Sequence, residues 1–273
     1  MYDKNSNEIS QSQKIYLQKL KRRKINITIS RFLILVIIFS AWEITANLGI
    51  IDPFIFSSPS RMFKALINML KDGSLWLHIG ITLFETVIGF LLGTFIGVGV
   101  AIIMWWNKFI SDVLEPYLVV LNSLPKTALA PIIIVWMGNN MSSIIVVALL
   151  TSVIVTLLSV YDGFMHIDED KIKLIKTFGG TKKQILFKVI LPASIPTMVN
   201  ALKINIGLSY VGVIVGEFLV AKAGLGYLIT YSSQTFKLDV VMLSVIILAI
   251  LSALMYQAVS IIEKLILKKI NPQ

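Results

Sequence analysis

The chain predicts an all-α integral membrane protein, a single bundle of six transmembrane helices with an ordered cytosolic loop between the fourth and the fifth. Three observations carry this. Of 273 residues, 56% are hydrophobic and only 15% charged, whereas a soluble domain holds about a quarter of its residues as charges. The apolar residues gather into nearly uncharged stretches as long as the about 20 residues that cross a ~30 Å hydrocarbon core. The basic residues collect between those stretches and the aromatics within them, so the net charge of +10 reads as membrane topology and not as a nucleic-acid surface. The chain has no Cys, which excludes disulfides, thiolate metal sites and thiol catalysis. His78 and His166 have no second ligand at metal spacing and are expected as flank or loop residues.

Residues 1–24 are polar, with too little apolar surface for a core; they predict a cytosolic tail ahead of one membrane domain, 25–273. The apolar stretch that follows runs on beyond signal-peptide length. Span 1 is expected over 27–48 and span 2 over 75–106. In span 2, Gly89, Gly93 and Gly97 recur every fourth residue and let a neighbouring backbone approach closely, inside one subunit or at a dimer seam. Span 3 is expected over 113–137 and contains Pro116, Pro125 and Pro131. Carbonyls freed by prolines need protein or water, so this span should avoid lipid. Spans 4, 5 and 6 follow at 142–161, 193–220 and 240–265. Before span 2, Ser58-Pro59 opens and Gly73 closes a short apolar helix, read as lying in the interface.

Orientation follows from the connections. With the amino terminus inside, eighteen of the 25 basic residues fall in cytosolic segments and five in outer ones, the bias expected of loops retained on the cytosolic side. Both termini are then cytosolic, which requires an even number of spans.

The connection 162–192 differs from the rest. Asp168 can cap a first helix whose positive first turn holds Glu169 and Asp170, with Ile172, Ile175 and Phe178 on one face. After Gly179-Gly180, Thr181 and Gln184 form a capping box before a second apolar run, and Pro192 marks the start of the next span. An ordered basic amphipathic helix between two spans suits docking into a partner's groove, or it caps the bundle.

The run Lys173-Leu174-Ile175-Lys176-Thr177-Phe178-Gly179, followed after nine residues by Val189-Ile190-Leu191-Pro192, resembles the cytosolic motif of binding-protein-dependent ABC importer permeases: Glu-Ala-Ala, three residues, Gly, nine residues, then Ile-x-Leu-Pro. The Glu-Ala-Ala triplet is replaced by Lys173, Leu174 and Ile175. Two further segments, Leu124-Pro125-Lys126-Thr127-Ala128-Leu129-Ala130-Pro131 and Gly216-Glu217-Phe218-Leu219 with Gly224-Leu225-Gly226-Tyr227, resemble the branch handling nitrate, sulfonates and taurine. The resemblance implies a type I importer: two permease copies forming a homodimer, two cytosolic ATPase subunits that use ATP and Mg, and an extracytoplasmic binding protein. It also implies that 168–178 is a coupling helix, with Leu174, Ile175 and Phe178 as its anchor. Gly179 and Gly180 would set its turn, and Val189, Leu191 and Pro192 its return. Consistent with ATP hydrolysis on another chain, no Gly-x-x-x-x-Gly-Lys phosphate loop occurs, and no cofactor is expected here.

Ionisable groups inside spans mark cavities or pairs. Glu43 and Lys203 read as boundary residues and Glu85 as structural. Pro125, Lys126 and Glu217 are the pathway candidates, with Lys126 and Glu217 paired to each other or meeting solute. Asn122, Asn205, Ser209 and Tyr210 add polar lining or interhelical hydrogen bonds. A membrane enzyme is disfavoured because the spans hold no converging catalytic groups; an ion channel or gradient-driven carrier is the rival reading, and span 3 has no inverted twin to support it.

Overall fold

The computed structural model describes residues 11–270, with side chains over 16–268; the first ten residues of the expected tail and the last three of the chain lie outside the described residues. The chain divides into two compact units, 1–64 and 65–273. In the first, α1 (Gln11–Asn47) is one continuous helix, so residues 11–24, expected as a coreless tail, extend the span. A helix needs no core when its own backbone bonds propagate from an apolar segment that the bilayer stabilises. A four-residue turn, α2 (Pro53–Phe56), is capped by Asp52, whose carboxylate accepts from the Phe54 amide. Glu43 is no idle boundary residue: it accepts from the Asn47 side chain at 3.2 Å and from the Ser60 amide at 3.0 Å, covering the first turn of α3 (Pro59–Lys71), where a negative group is favoured.

The second unit is built on α4 (Ser74–Trp106), α7 (Met141–Met165) and α10 (Leu191–Val220), which pack on one another along small-residue seams. A Cβ on Gly89 would lie 2.7 Å from the Ala148 Cβ, and one on Gly97 would lie 2.8 Å from that of Thr156. The glycine stripe is therefore an intrachain seam. On the other side of α7, a Cβ on Gly216 would meet the Ile144 Cγ2 at 2.9 Å, so α10 approaches as closely. α11 (Leu225–Gln234) and α12 (Leu238–Ile270) complete the unit against α10. Lys203 of α10, expected to snorkel, instead forms an ion pair with Glu263 of α12, both side chains mostly buried.

The expected third span is a broken one. α5 (Lys108–Ser123) and α6 (Ala130–Met137) meet at 89° through a 3-10 turn at Lys126–Leu129. Only Pro125 breaks the helix. It forces Leu124 into extended backbone (φ −68°, ψ 140°), whereas Pro131 sits in the first turn of α6, where no amide is needed. Pro116 is accommodated within α5. Among the described residues five helices are long and apolar enough to cross a membrane, and this bent pair makes up to six.

Candidate functional site

The loop joining α7 to α10 is held by local bonds that the sequence dictates. Asp168 accepts from the Asp170 amide at 2.9 Å and starts α8 (Glu169–Thr177). Lys173 reaches back to Glu169 and Asp170 at 3.5 and 3.2 Å. At the other end the Gly180 amide donates to the Ile175 carbonyl and the Gly179 amide to that of Lys176, both at 2.9 Å. This paired closure needs a left-handed residue, and Gly179 supplies it at φ +74°. The Thr181 hydroxyl accepts from the Gln184 amide while the Gln184 side chain accepts from the Thr181 amide at 2.8 Å, and α9 (Lys182–Ile185) begins.

Pro192 does not stop the chain between loop and span. A π-turn over Leu186–Ile190 carries α9 directly into α10, with the Leu191 amide bonded to the Leu186 carbonyl. Proline at 192 has no amide for the Lys188 carbonyl and its ring crowds that oxygen; a widened turn relieves both. The loop and the span are one continuous rod.

The two faces of α8 have separate tasks. Ile172 and Ile175 turn inward, where with Ile185, Leu186 and Ile190 they pack against Ala101, Val160 and Phe164 at the ends of α4 and α7. Leu174 and Phe178 are 57% and 80% exposed. The expected apolar face of Ile172, Ile175 and Phe178 is thus split. Phe178 follows the last helical turn, leaves the inner stripe and joins Leu174, four residues earlier. Beside Leu174, a groove of about 400 Å³ is lined by Lys171, Ile175, Lys188, Val189 and Pro192, so residues of both halves of the motif converge on it. Lys176, Thr177 and Gly179 are exposed on the same segment, and Leu191 packs against the inner cluster.

The residues proposed from sequence to line a pathway fall into two places. Asn122, Pro125 and Lys126 gather at the break between α5 and α6, where the Lys126 ammonium donates to the Asn122 carbonyl at 3.2 Å and to its side-chain oxygen at 3.3 Å. A cation thus covers one of the open carbonyls at the carboxyl end of α5. Asn205, Ser209, Tyr210 and Glu217 are buried in α10. The Asn205 amide donates to Thr94 at 2.8 Å and the Tyr210 hydroxyl to the Leu248 carbonyl at 2.9 Å. Asn205 Oδ1 and Ser209 Oγ find no partner among the described residues.

Lys126 and Glu217 are not partners. Glu217 accepts from the Thr82 hydroxyl at 2.7 Å and from the Gly226 amide, sitting at the amino end of α11. There a carboxylate satisfies amides that the helix itself cannot. His78, expected in a flank or loop, lies buried in α4, accepts from the Gly224 amide at 3.0 Å and stacks on Tyr227. Thr82 also accepts from the Leu225 amide at 2.8 Å. His78, Thr82 and Glu85 were legible as a set: they recur at helical spacing on one face of an apolar span, a polar stripe that must find partners.

The family model of binding-protein-dependent transport system inner membrane components matches residues 89–272. The chain is 30% identical over 236 residues to the formylaminopyrimidine transport permease protein of Halalkalibacterium halodurans, covering 86% of this chain and 92% of that one. It is 22% identical over 254 residues to the taurine transport system permease protein of Escherichia coli, covering 89% and 91%. Among solved structures, an inward-facing form of the MetNI methionine ABC transporter superposes with a TM-score of 0.61 at 21% identity, over 73% of this chain and 98% of that one, a likeness of fold.

Proposed function

The chain belongs to the family of binding-protein-dependent transport system inner membrane components and is the permease subunit of an ATP-driven ABC importer, a multi-pass membrane component that is not itself the ATPase; from this premise we propose how its parts work. α8 is the coupling helix. Leu174 and Phe178 enter a cleft of the cytosolic ATPase, and Lys171, beside Leu174, steers acidic groups on that partner. Lys173, Thr177, Gly179 and Gly180 hold the helix at its angle, while Val189, Leu191 and Pro192 carry its motion into α10. The observation that supports this most is the split of α8. Two apolar side chains stand exposed over a stripe pinned to the ends of α4, α7 and α10, so displacing the helix displaces three spans together. Family membership sets aside the channel and the gradient-driven carrier.

The working assembly is two copies of this chain, two ATPase subunits that bind ATP and Mg, and one extracytoplasmic binding protein, with both termini of this chain cytosolic. The second copy packs against the bent pair α5–α6, where Val135 and Trp136 are about 80% exposed. Asn122, Pro125 and Lys126 then line the pathway between copies, and Asn205, Ser209, Tyr210 and Glu217 hold the helices that shape it. The solute is a small polar nutrient of the kind the relatives' names indicate, a taurine-like or other sulfonate, nitrate, or a formylaminopyrimidine-like compound, selected by the binding protein. Copurification tests the reading. The wild-type chain should retain the ATPase at equal stoichiometry, and Leu174→Asp with Phe178→Asp should lose it while still inserting; retention by the double variant would refute docking through α8.

A further inference from the structure

On the opposite side of the same loop, a cavity of about 520 Å³ opens between the turn joining α4 to α5 and the end of α8, within the size range of small-molecule sites. Its charged side chains are Lys108, Lys176, Lys182 and Asp112, three cations to one acid. Lys182 is fixed: its ammonium sits 5.8 Å and 5.6 Å from the ring centres of Trp105 and Trp106 and donates to the Trp106 carbonyl, which leaves two of its three N–H groups for a ligand. The Lys108 side chain is 90% exposed and lies 3.9 Å from the Asp112 carboxylate. The rest of the wall is mainly apolar, with Met104, Trp105, Met165, Ile172 and Ile185; Tyr161 also lines it, its hydroxyl paired with that of Ser111. Met165 is 58% exposed and Phe109, beside Lys108, is 75% exposed. The site therefore joins cations to an apolar flank at the level where one span ends and the next begins, and paired tryptophans mark that level as the membrane interface.

We propose that this cavity holds the headgroup of an anionic phospholipid from the cytosolic leaflet, its phosphate on Lys108, Lys176 and Lys182 and its glycerol and acyl end along Trp105 and Met165. A free phosphate offers the same anion but nothing for the apolar wall, which selects the lipid. Basic pockets at the cytosolic ends of spans have this chemistry. Because Lys176 belongs to α8 while Lys108 and Lys182 flank the spans, the bound headgroup ties the coupling helix to the α4–α5 turn, and the lipid composition of the leaflet tunes coupling. The inference rests on the cytosolic placement of the loop proposed above.

The test uses the full chain with its ATPase in nanodiscs of phosphatidylcholine containing phosphatidylglycerol, counting phosphatidylglycerol retained per permease after detergent extraction by native mass spectrometry. Wild type and the control Lys183→Glu, which lies outside the cavity, should retain the lipid, and Lys108→Glu should retain less by about tenfold. Equal retention by all three, or retention by none, overturns the proposal. Displacement of the lipid by inorganic phosphate at millimolar concentration identifies a free-anion site and overturns it equally. ATPase capture is scored in the same preparations. Lost capture with retained lipid sinks the docking role of α8 and leaves the lipid site standing; the reverse result sinks the lipid site alone.

Discussion

Leu174 and Ile175 are neighbours in the chain with opposite duties. Ile175 is part of the cluster that fixes α8 to the bundle, while Leu174 stands out toward solvent. Truncating a packed isoleucine removes contacts and leaves a partial cavity, so Ile175→Ala should destabilise the loop by about 1–2 kcal/mol, less than a fully buried site, and lower the melting temperature. Leu174→Ala should leave melting unchanged and weaken ATPase capture. Scanning fluorimetry and copurification on the two variants separate the roles. Gly179→Val meets no neighbour, since nothing lies within 4 Å of a Cβ there, and its cost of about 1–2 kcal/mol is backbone strain at φ +74°; transport should fall with the protein still inserted. The capping box and the glycine turn were legible because they depend on residues within five positions of each other. The division of labour between Leu174 and Phe178 on one side and Ile175 on the other was not. It depends on where the helix ends and on which face the bundle offers.

Two elements illustrate the same limit one level up. The four-residue glycine repeat announced a close helix approach, and the seam with α7 is where it is spent. Gly97→Leu should force α4 from α7 and lower the melting temperature by several degrees, whereas Gly80→Leu on the same helix faces open space and should not. The break in α5–α6 followed from Pro125, although three prolines predicted disruption of one span and did not say which proline breaks it; the answer depended on position within a turn. α11 and the π-turn were not anticipated. α11 begins at a Gly-rich segment and is capped by Glu217, a partner nine residues away from Gly226 in sequence, and by Thr82, more than a hundred residues away, so no local pattern encodes it. Glu217→Ala removes the acceptor of the Thr82 hydroxyl and the Gly226 amide, and leaving them buried should cost about 2–3 kcal/mol, read as a lower melting temperature that Glu217→Gln partly restores.

For the molecule as a whole, composition and the basic bias of the connections already indicated a polytopic protein and its sidedness, and the fold and family agree with the first. Sidedness can be measured cleanly because the chain has no Cys. A single cysteine placed at Lys108 should react with a membrane-impermeant maleimide only from the cytosolic face, and one at Lys222 only from the outer face. The central claim is that force from the ATPase enters the bundle through the exposed side of α8. The most direct measurement places one cysteine at Phe178 and one in the ATPase cleft, joins them with a short cross-linker in proteoliposomes supplied with binding protein, and follows ATP-driven uptake. The account predicts efficient cross-linking that changes with nucleotide state and halts uptake until the link is cleaved. Full-rate uptake by the cross-linked complex, or by the permease with no ATPase present, would contradict it.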